Sequence, residues 1–304
     1  MTTLVTHSGS FHADDITAYA VLAFVFPGAK LIRTRDEDVI AQGDIVFDVG
    51  RIYNPNKNRF DHHQAHGPKR PNMQLYSSAG LIWKHYGRHA VRNIADTTEE
   101  NVEIIWKAVD QSLISYIDLV DNGVGTPGGD NISVLLAQFN PTWEEQLESG
   151  NAEGLLLENF LIAAGVVKKM IVRLVKRELG RLNAKDKVLE CVRASSDPRI
   201  LELPTGMPWQ EVVFANMLPT LFVLHPNSEG NSIMINTVPQ SLNSFTSRML
   251  LPDIWAAKDN AELAAVTGVE DAVFCHKARF VAAARSWEGA REMVRQALLD
   301  GRLA

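Results

Sequence analysis

Apolar residues in this chain come in short blocks, and the spacing inside the blocks changes along the sequence. In the first half, TLVTH (3–7), KLIRTR (30–35) and DIVFDVG (44–50) are brief apolar runs that end in loop residues, the pattern of buried strands. Between and after them, DITAYAVLAFVF (15–26), SSAGLIWKHYG (77–87) and NVEIIWKAVDQSLISYIDLVDNG (101–123) carry helical spacing, with Asp14 or Asp15 as N-cap of the first. Strands alternating with helices predict an α/β fold with a mostly parallel sheet flanked by helices. A long amphipathic stretch, 155–183, predicts a connecting helix.

Beyond it the texture becomes short alternating runs broken by Pro, Gly and Asn: KVLECVRA (187–194), RILELP (199–204), EVVFANM (211–217), TLFVLHP (220–226) and SIMINTVP (232–239). These read as strands. AVFCHKARFVAAA (272–284) follows, and a last helix begins near Ser286. The expected organisation is a catalytic domain over 1–154, a connecting helix over 155–183 and a smaller α+β domain over 184–304. A chain of 304 residues accommodates two domains.

Composition narrows the function classes. Hydrophobic content of 46% and charged content of 22% are ordinary for a globular protein. A net charge of −6 argues against a broad basic surface for long nucleic acid. Two distant cysteines, Cys191 and Cys275, make neither a disulfide framework nor a thiolate metal site, which fits a reducing, cytoplasmic setting. The apolar run from Ala18 to Pro27 is too short to span a bilayer, and no signal peptide is visible.

The chemistry sits at element ends. His7, His12 and Asp14 follow the first strand, Asp48 follows the strand before DVG, and RFDHHQAHG (59–67) presents Asp61, His62, His63 and His66 together. Asp121 stands at a helix end where Asn122-Gly123 supplies a left-handed stop. Taken alone, Asp121 and Asp118, one helical turn earlier, read as the exposed face of an amphipathic helix. In open α/β sheets ligands bind beyond the carboxyl ends of the strands. Imidazole and carboxylate without thiolate suit Mn²⁺, Mg²⁺, Co²⁺ or Zn²⁺, and so many such groups suit two ions sharing a bridging carboxylate.

At HSGSFHADD, DVG, RFDHHQ, SSAGLIWKHYG and IDLVDNG the chain resembles the melanocyte-proliferating-gene type of metal-dependent hydrolase, which is related to the DHH phosphoesterases. The resemblance continues through VLHPNSEGN, SFTSRMLLP and FCHKARFVAAARSWEGA. It implies a phosphodiesterase, in the favoured form a 3′-to-5′ exonuclease acting on RNA or short single-stranded oligonucleotides, using two Mn²⁺. Carried over by motif, His7, His12 and Asp48 hold one ion, and Asp14, Asp48, His62 and Asp121 the other. The superfamily motif has an aspartate where His12 stands, with one residue fewer after the first histidine. His63 then faces the phosphate as a catalytic acid or electrophile, and Asp61 orients a ligating histidine. The second domain is expected to clamp the substrate through Arg248, His276, Arg279 and Arg285, around a turn in which Ala282-Ala283 replace a Gly-Gly pair. Arg51, directly after DVG, stands beside the cleft. Homodimerisation, hydrolysis of a pyrophosphate or amide bond, and a non-catalytic metal-binding role stay open.

Overall fold

A computed structural model describes residues 1–124 and 131–301. The chain divides into two compact units, Met1–Leu179 and Gly180–Ala304.

In the first unit, strand β1 (Thr3–Thr6) leads into helix α1 (Ala13–Val25), then β2 (Lys30–Arg33), α2 (Glu37–Gln42) and β3 (Ile45–Phe47). The hairpin partners β4 (Tyr53–Asn54) and β5 (Arg59–Phe60) complete a five-stranded sheet of order β2-β1-β3-β5-β4. Its first four neighbours are parallel and only β4 runs against them. The chain leaves β1 toward β2 on one side, and leaves β3 toward β4 and β5 on the other. That reversal opens a crevice at the carboxyl ends of β1, β3 and β5.

Helix α1 is buried almost all round, from Ala13 to Ala18 and again from Ala20 to Leu22, which suits a stretch with little polar periodicity. It packs on α3 (Ser78–Ile94). Helix α3 is tied in turn to α4 (Glu99–Val109) by two indoles that exchange hydrogen bonds. Trp83 Nε1–H donates to the Trp106 carbonyl at 3.2 Å, and Trp106 Nε1–H to the Trp83 carbonyl at 3.0 Å. Gly87 permits this: a Cβ there would lie 2.6 Å from the Trp83 ring. A π-helical turn, Asp110–Ile114, joins α4 to α5 (Ser115–Asp121), so one helical rod runs through 99–121 as its apolar spacing predicts. Short helices α6 (Ile132–Ala137) and α7 (Trp143–Ser149) precede α8.

Helix α8 (Ala152–Ala194) is longer than its sequence pattern suggests, and it contains the boundary between the units. Residues 187–194, read as a strand, are its last turns: Val188 is buried, with Cys191 and Val192 on the same helical face. Residues 211–217 are also helical rather than extended, as α9 (Gln210–Ala215), where Val212 and Val213 fill the cluster containing Val188, Leu201 and Trp209. Packing outweighs the β preference of paired valines in both places.

The second unit holds a five-stranded sheet of order β6-β7-β8-β10-β9, from β6 (Ile200–Glu202), β7 (Phe222–Pro226), β8 (Ile233–Thr237), β9 (Ala272–Cys275) and β10 (Val281–Ala284). Only the β6–β7 pair is parallel. Phe222 and Leu224 of β7 enter the cluster with Trp255 and Met293, whereas Val223 faces the cluster with Trp209. Such alternation is what a sheet covered on both faces requires. Helices α10 (Asn260–Thr267) and α11 (Trp287–Asp300) belong to this unit, and the Ser286 side chain caps α11 through Gly289 N–H. Among the described residues, no helix is long and apolar enough to cross a membrane.

Candidate metal centre

The parallel order places the ends of β1, β3 and β5 side by side, and their following residues converge. His7 and Asp48 are adjacent there: His7 Nε2 lies 3.3 Å from Asp48 Oδ2 and 3.2 Å from Asp15 Oδ2. The other ring nitrogen, Nδ1, is 3.1 Å from the Ser8 carbonyl oxygen. A carbonyl oxygen only accepts, so Nδ1 carries the hydrogen and a neutral His7 would aim a lone pair at two carboxylates.

A second cluster repeats the situation. His62 Nε2 lies 3.1 Å from Asp121 Oδ2, 3.5 Å from Asp48 Oδ1 and 3.8 Å from Asp14 Oδ2. Asp48 therefore directs one carboxylate oxygen into each cluster. It does so from a left-handed backbone (φ 56°), which few residues other than Gly, Asn and Asp adopt. Ser78 Oγ–H, at the start of α3, donates to Asp48 Oδ1 at 3.2 Å.

Lone pairs facing one another in a buried site need a cation. Asp14 Oδ2, Asp15 Oδ2 and His62 Nε2 are all buried without a hydrogen-bond partner, which is costly unless something else satisfies them. Without metal, protons play that part. Burial opposes ionisation of His7, but Asp15 and Asp48 outweigh it and raise its pKa to about 10. His62 is likewise opposed by burial and raised to about 10 by Asp121 and Asp48. Burial, with Asp48 and Asp121 close by, holds the Asp14 carboxyl well above the usual carboxylate range. Three sets bring three ligand atoms close enough to hold an ion: His7-Asp15-Asp48, Asp14-His62-Asp121 and Asp48-His62-His63, the last with His63 exposed; the donor chemistry suits a hard or borderline divalent cation.

The structure differs from the sequence expectation in the first set. His12 is exposed, with its ring centroid 5.7 Å from that of His7, and Asp15 stands in the cluster instead. Asp15 carries two duties: Oδ1 accepts from the backbone N–H of His12 at 2.8 Å, and Oδ2 faces His7. Its capping role conceals the second one in the sequence. The N-cap of α1 is His12 itself.

His63 diverges from His62 although the two rings are 4.2 Å apart. Its side chain is 56% exposed, and Nδ1 sits 2.7 Å from Asp61 Oδ1. Asp61 thus orients His63 rather than His7 or His62, and the same His63 Nδ1 lies farther off, 3.7 Å, from Asp48 Oδ1. Its other oxygen accepts from the Arg51 N–H at 2.5 Å. The Asp61 hydrogen bond raises the His63 pKa, and the reciprocal contacts hold Asp61 below the usual carboxylate value against the opposing effect of burial.

Asp118 is fully buried rather than on an exposed face. Arg70 bonds it through Nε and Nη2, both at 2.6 Å, and bonds both oxygens of Asp110. Ser77 donates to Asp118 through its N–H and its hydroxyl. Gly80 is required beside this network, since a Cβ there would come within 2.3 Å of Asp118 Oδ2. The network locks the π-helical turn and α5, and so fixes Asp121 at the end of α5.

A cleft of about 1380 Å³ in the first unit is lined by His7, Asp48, His62, His63 and Asp121 together with Arg35 and Arg51. The four residues expected to clamp substrate belong to the second unit. Arg248 Nη1 donates to the Leu218 and Thr220 carbonyls, and Arg279 donates to the Leu251 carbonyl and pairs with Asp253. His276 Nδ1 accepts from Ala278 N–H. Arg285 is exposed. Ala282 and Ala283 are not in a turn: they lie inside β10, between β8 and β9, with their methyl groups in the core. The turn before β10 contains Arg279, at φ 58°.

Fold and site together define an α/β protein with a candidate divalent-metal centre. The family labelled MYG1 exonuclease and described as an uncharacterised protein family (UPF0160) matches residues 3–298, and the chain belongs to that family. It is 32% identical to the human MYG1 exonuclease over 329 residues, covering 96% of this chain and 85% of the human protein. It is 32% identical to a MYG1 protein of Schizosaccharomyces pombe, covering 97% of both, and 31% identical to the Dictyostelium discoideum MYG1 protein, covering 95% and 94%.

Proposed function

We propose that this chain is a metal-dependent phosphodiesterase that removes nucleotides from the 3′ end of RNA or short single-stranded oligonucleotides. The observation that carries the reading is the pair of buried histidine–carboxylate clusters sharing Asp48, with orphaned lone pairs in both. Relatives named exonucleases support it, and two unpaired cysteines suit a cytoplasmic protein. His7, Asp15 and Asp48 would hold one divalent ion, and Asp14, His62, Asp121 and Asp48 the other, with Mn²⁺ favoured by the ligand mixture. Such a pair lowers the pKa of water and neutralises charge on a phosphoryl group.

The chain supplies the rest. His63 stands beside the clusters with Nδ1 held by Asp61, which leaves Nε2 to deliver a proton to the leaving oxygen. Asp61 fixes the ring and favours the charged imidazolium.

The test joins metal analysis to cleavage. Purified protein reconstituted with Mn²⁺ should approach two ions per chain. It should shorten a 5′-labelled single-stranded RNA stepwise, giving a ladder. Immediate release of the labelled mononucleotide would reverse the direction, and full metal occupancy without cleavage of any phosphodiester would refute the reading.

A further inference from the structure

Carboxylates dominate the cleft, so its cations need a reason to be there. Of the lining arginines, Arg59 is committed to backbone: its guanidinium donates to the carbonyls of Lys57, Asn58 and Ala41. Arg35 and Arg51 are exposed and line the same space, and no described carboxylate lies within ion-pair distance of either. For Arg35 the neighbouring acid is already used. Asp36 Oδ1 caps α2, accepting from the N–H groups of Asp38 and Val39. Arg35 Nη2 instead lies 3.5 Å from His7 Nδ1, whose hydrogen is directed to Ser8. That is donor against donor, and it leaves the guanidinium with no acceptor among the described residues.

Arg51 is held by its backbone rather than its side chain. Asp48, Gly50 and Arg51 all have positive φ, at 56°, 91° and 55°. For an arginine this conformation is strained, so something must hold it. The Arg51 N–H provides the hold by donating to Asp61 Oδ2, on the carboxylate that orients His63. One guanidinium therefore stands at the His7 side of the clusters and the other belongs to the loop that positions His63.

We infer that Arg35 and Arg51 form a two-sided clamp on the phosphoryl group of the substrate, resting on the phosphodiesterase reading above. Divalent ions activate amides, esters and phosphoryl groups alike. Two planar forks with unfilled donors add a preference for an anionic, tetrahedral group with several oxygens. The clamp makes the substrate class phosphate esters rather than neutral amides or carboxylic esters, and it acts from within the first unit.

The test uses the full chain loaded with Mn²⁺: Arg35→Ala, Arg51→Ala, the double variant, and lysine at each position. Metal content, KM and kcat on a short single-stranded RNA, and competition by inorganic phosphate for a fluorescent phosphorothioate oligonucleotide are measured. Each alanine should raise KM roughly tenfold and weaken phosphate competition in parallel, as loss of about 1.4 kcal/mol of charge-assisted bonding would do. Metal content should stay at the wild-type value, and lysine should restore only part of the affinity. Wild-type KM and phosphate competition in the double variant would overturn the clamp. Loss of metal from the alanine variants would overturn it too, because the arginines would then be supporting the clusters. If wild-type protein cleaves no phosphodiester, the function reading fails by itself. Phosphate competition then still decides the clamp: a double variant that competes like wild type overturns it, and one that does not supports it.

Discussion

His7 and His62 are the residues at which a bound metal would compete with protons. Each is raised to about 10 in the metal-free protein, above the ordinary 6.5. A raised pKa stabilises the fold fully below the unfolded value and progressively less as pH climbs through the folded one. Chelated protein should therefore lose melting temperature between pH 6.5 and about 10, whereas metal-loaded protein should change less over that window. Binding metal at pH 7 must expel those protons. Calorimetry in buffers of different ionisation enthalpy should show release of about two protons per chain from His7 and His62, with any excess coming from Asp14, and no buffer dependence would contradict the assignment. The adjacent histidines should separate cleanly: His62→Ala should lose metal, and His63→Ala should keep it while losing about 10²–10⁴-fold in kcat. Equal metal loss from both would erase the distinction. That His62, Asp48 and Asp121 would converge is legible in the sequence because each stands at or just after an element end. Asp15 is not, since a helix-capping aspartate and a ligating one look alike. Asp118 was hidden for a related reason, because the arginine that compensates its burial lies 48 residues away.

At the scale of elements, the rod over 99–121 is held at its π-helical turn by a charge network, not by apolar packing alone. Arg70 is the only described cation hydrogen-bonded to the buried Asp118. Removing one partner of a buried pair typically costs about 3–5 kcal/mol, because the other charge is stranded. Arg70→Ala should cost about that much in denaturant unfolding and should weaken metal binding through α5 and Asp121. A variant with wild-type stability and metal affinity would show that the π-helical turn is set by something else. Strands β1 and β3 were readable because short apolar runs ending in loop residues allow little else. The segments at 187–194 and 211–217 were not, because Val-rich runs fit helix and strand alike until Leu201 and Trp209 cover one face of each.

For the whole molecule, both clusters lie inside the first unit. Metal should therefore raise hydrogen-exchange protection of amides in β1, β3, β5 and α5 first. Protection appearing only in residues 180–301 would place the ions elsewhere. Substrate length enters at the same scale. An acidic chain with few free cations in its cleft should show a shallow salt dependence on single-stranded RNA, near two contacts at about −0.7 per phosphate in log–log slope. A slope corresponding to many contacts would argue for a longer binding track. The position of the site along the chain also bears on its biosynthesis. Every proposed ligand falls between His7 and Asp121, and the unit that encloses them ends at Leu179. At ~5–20 residues per second, the ribosome needs a further ~6–25 s to make residues 180 to 304, which is ample time for the emerged first unit to fold. On the proposed ligand set, the nascent polypeptide would thus be able to acquire ions while translation continues. Ribosome-arrested chains with residues 1–179 clear of the exit tunnel should already retain divalent metal through gel filtration; retention by finished chains alone would show that loading waits for the rest of the protein.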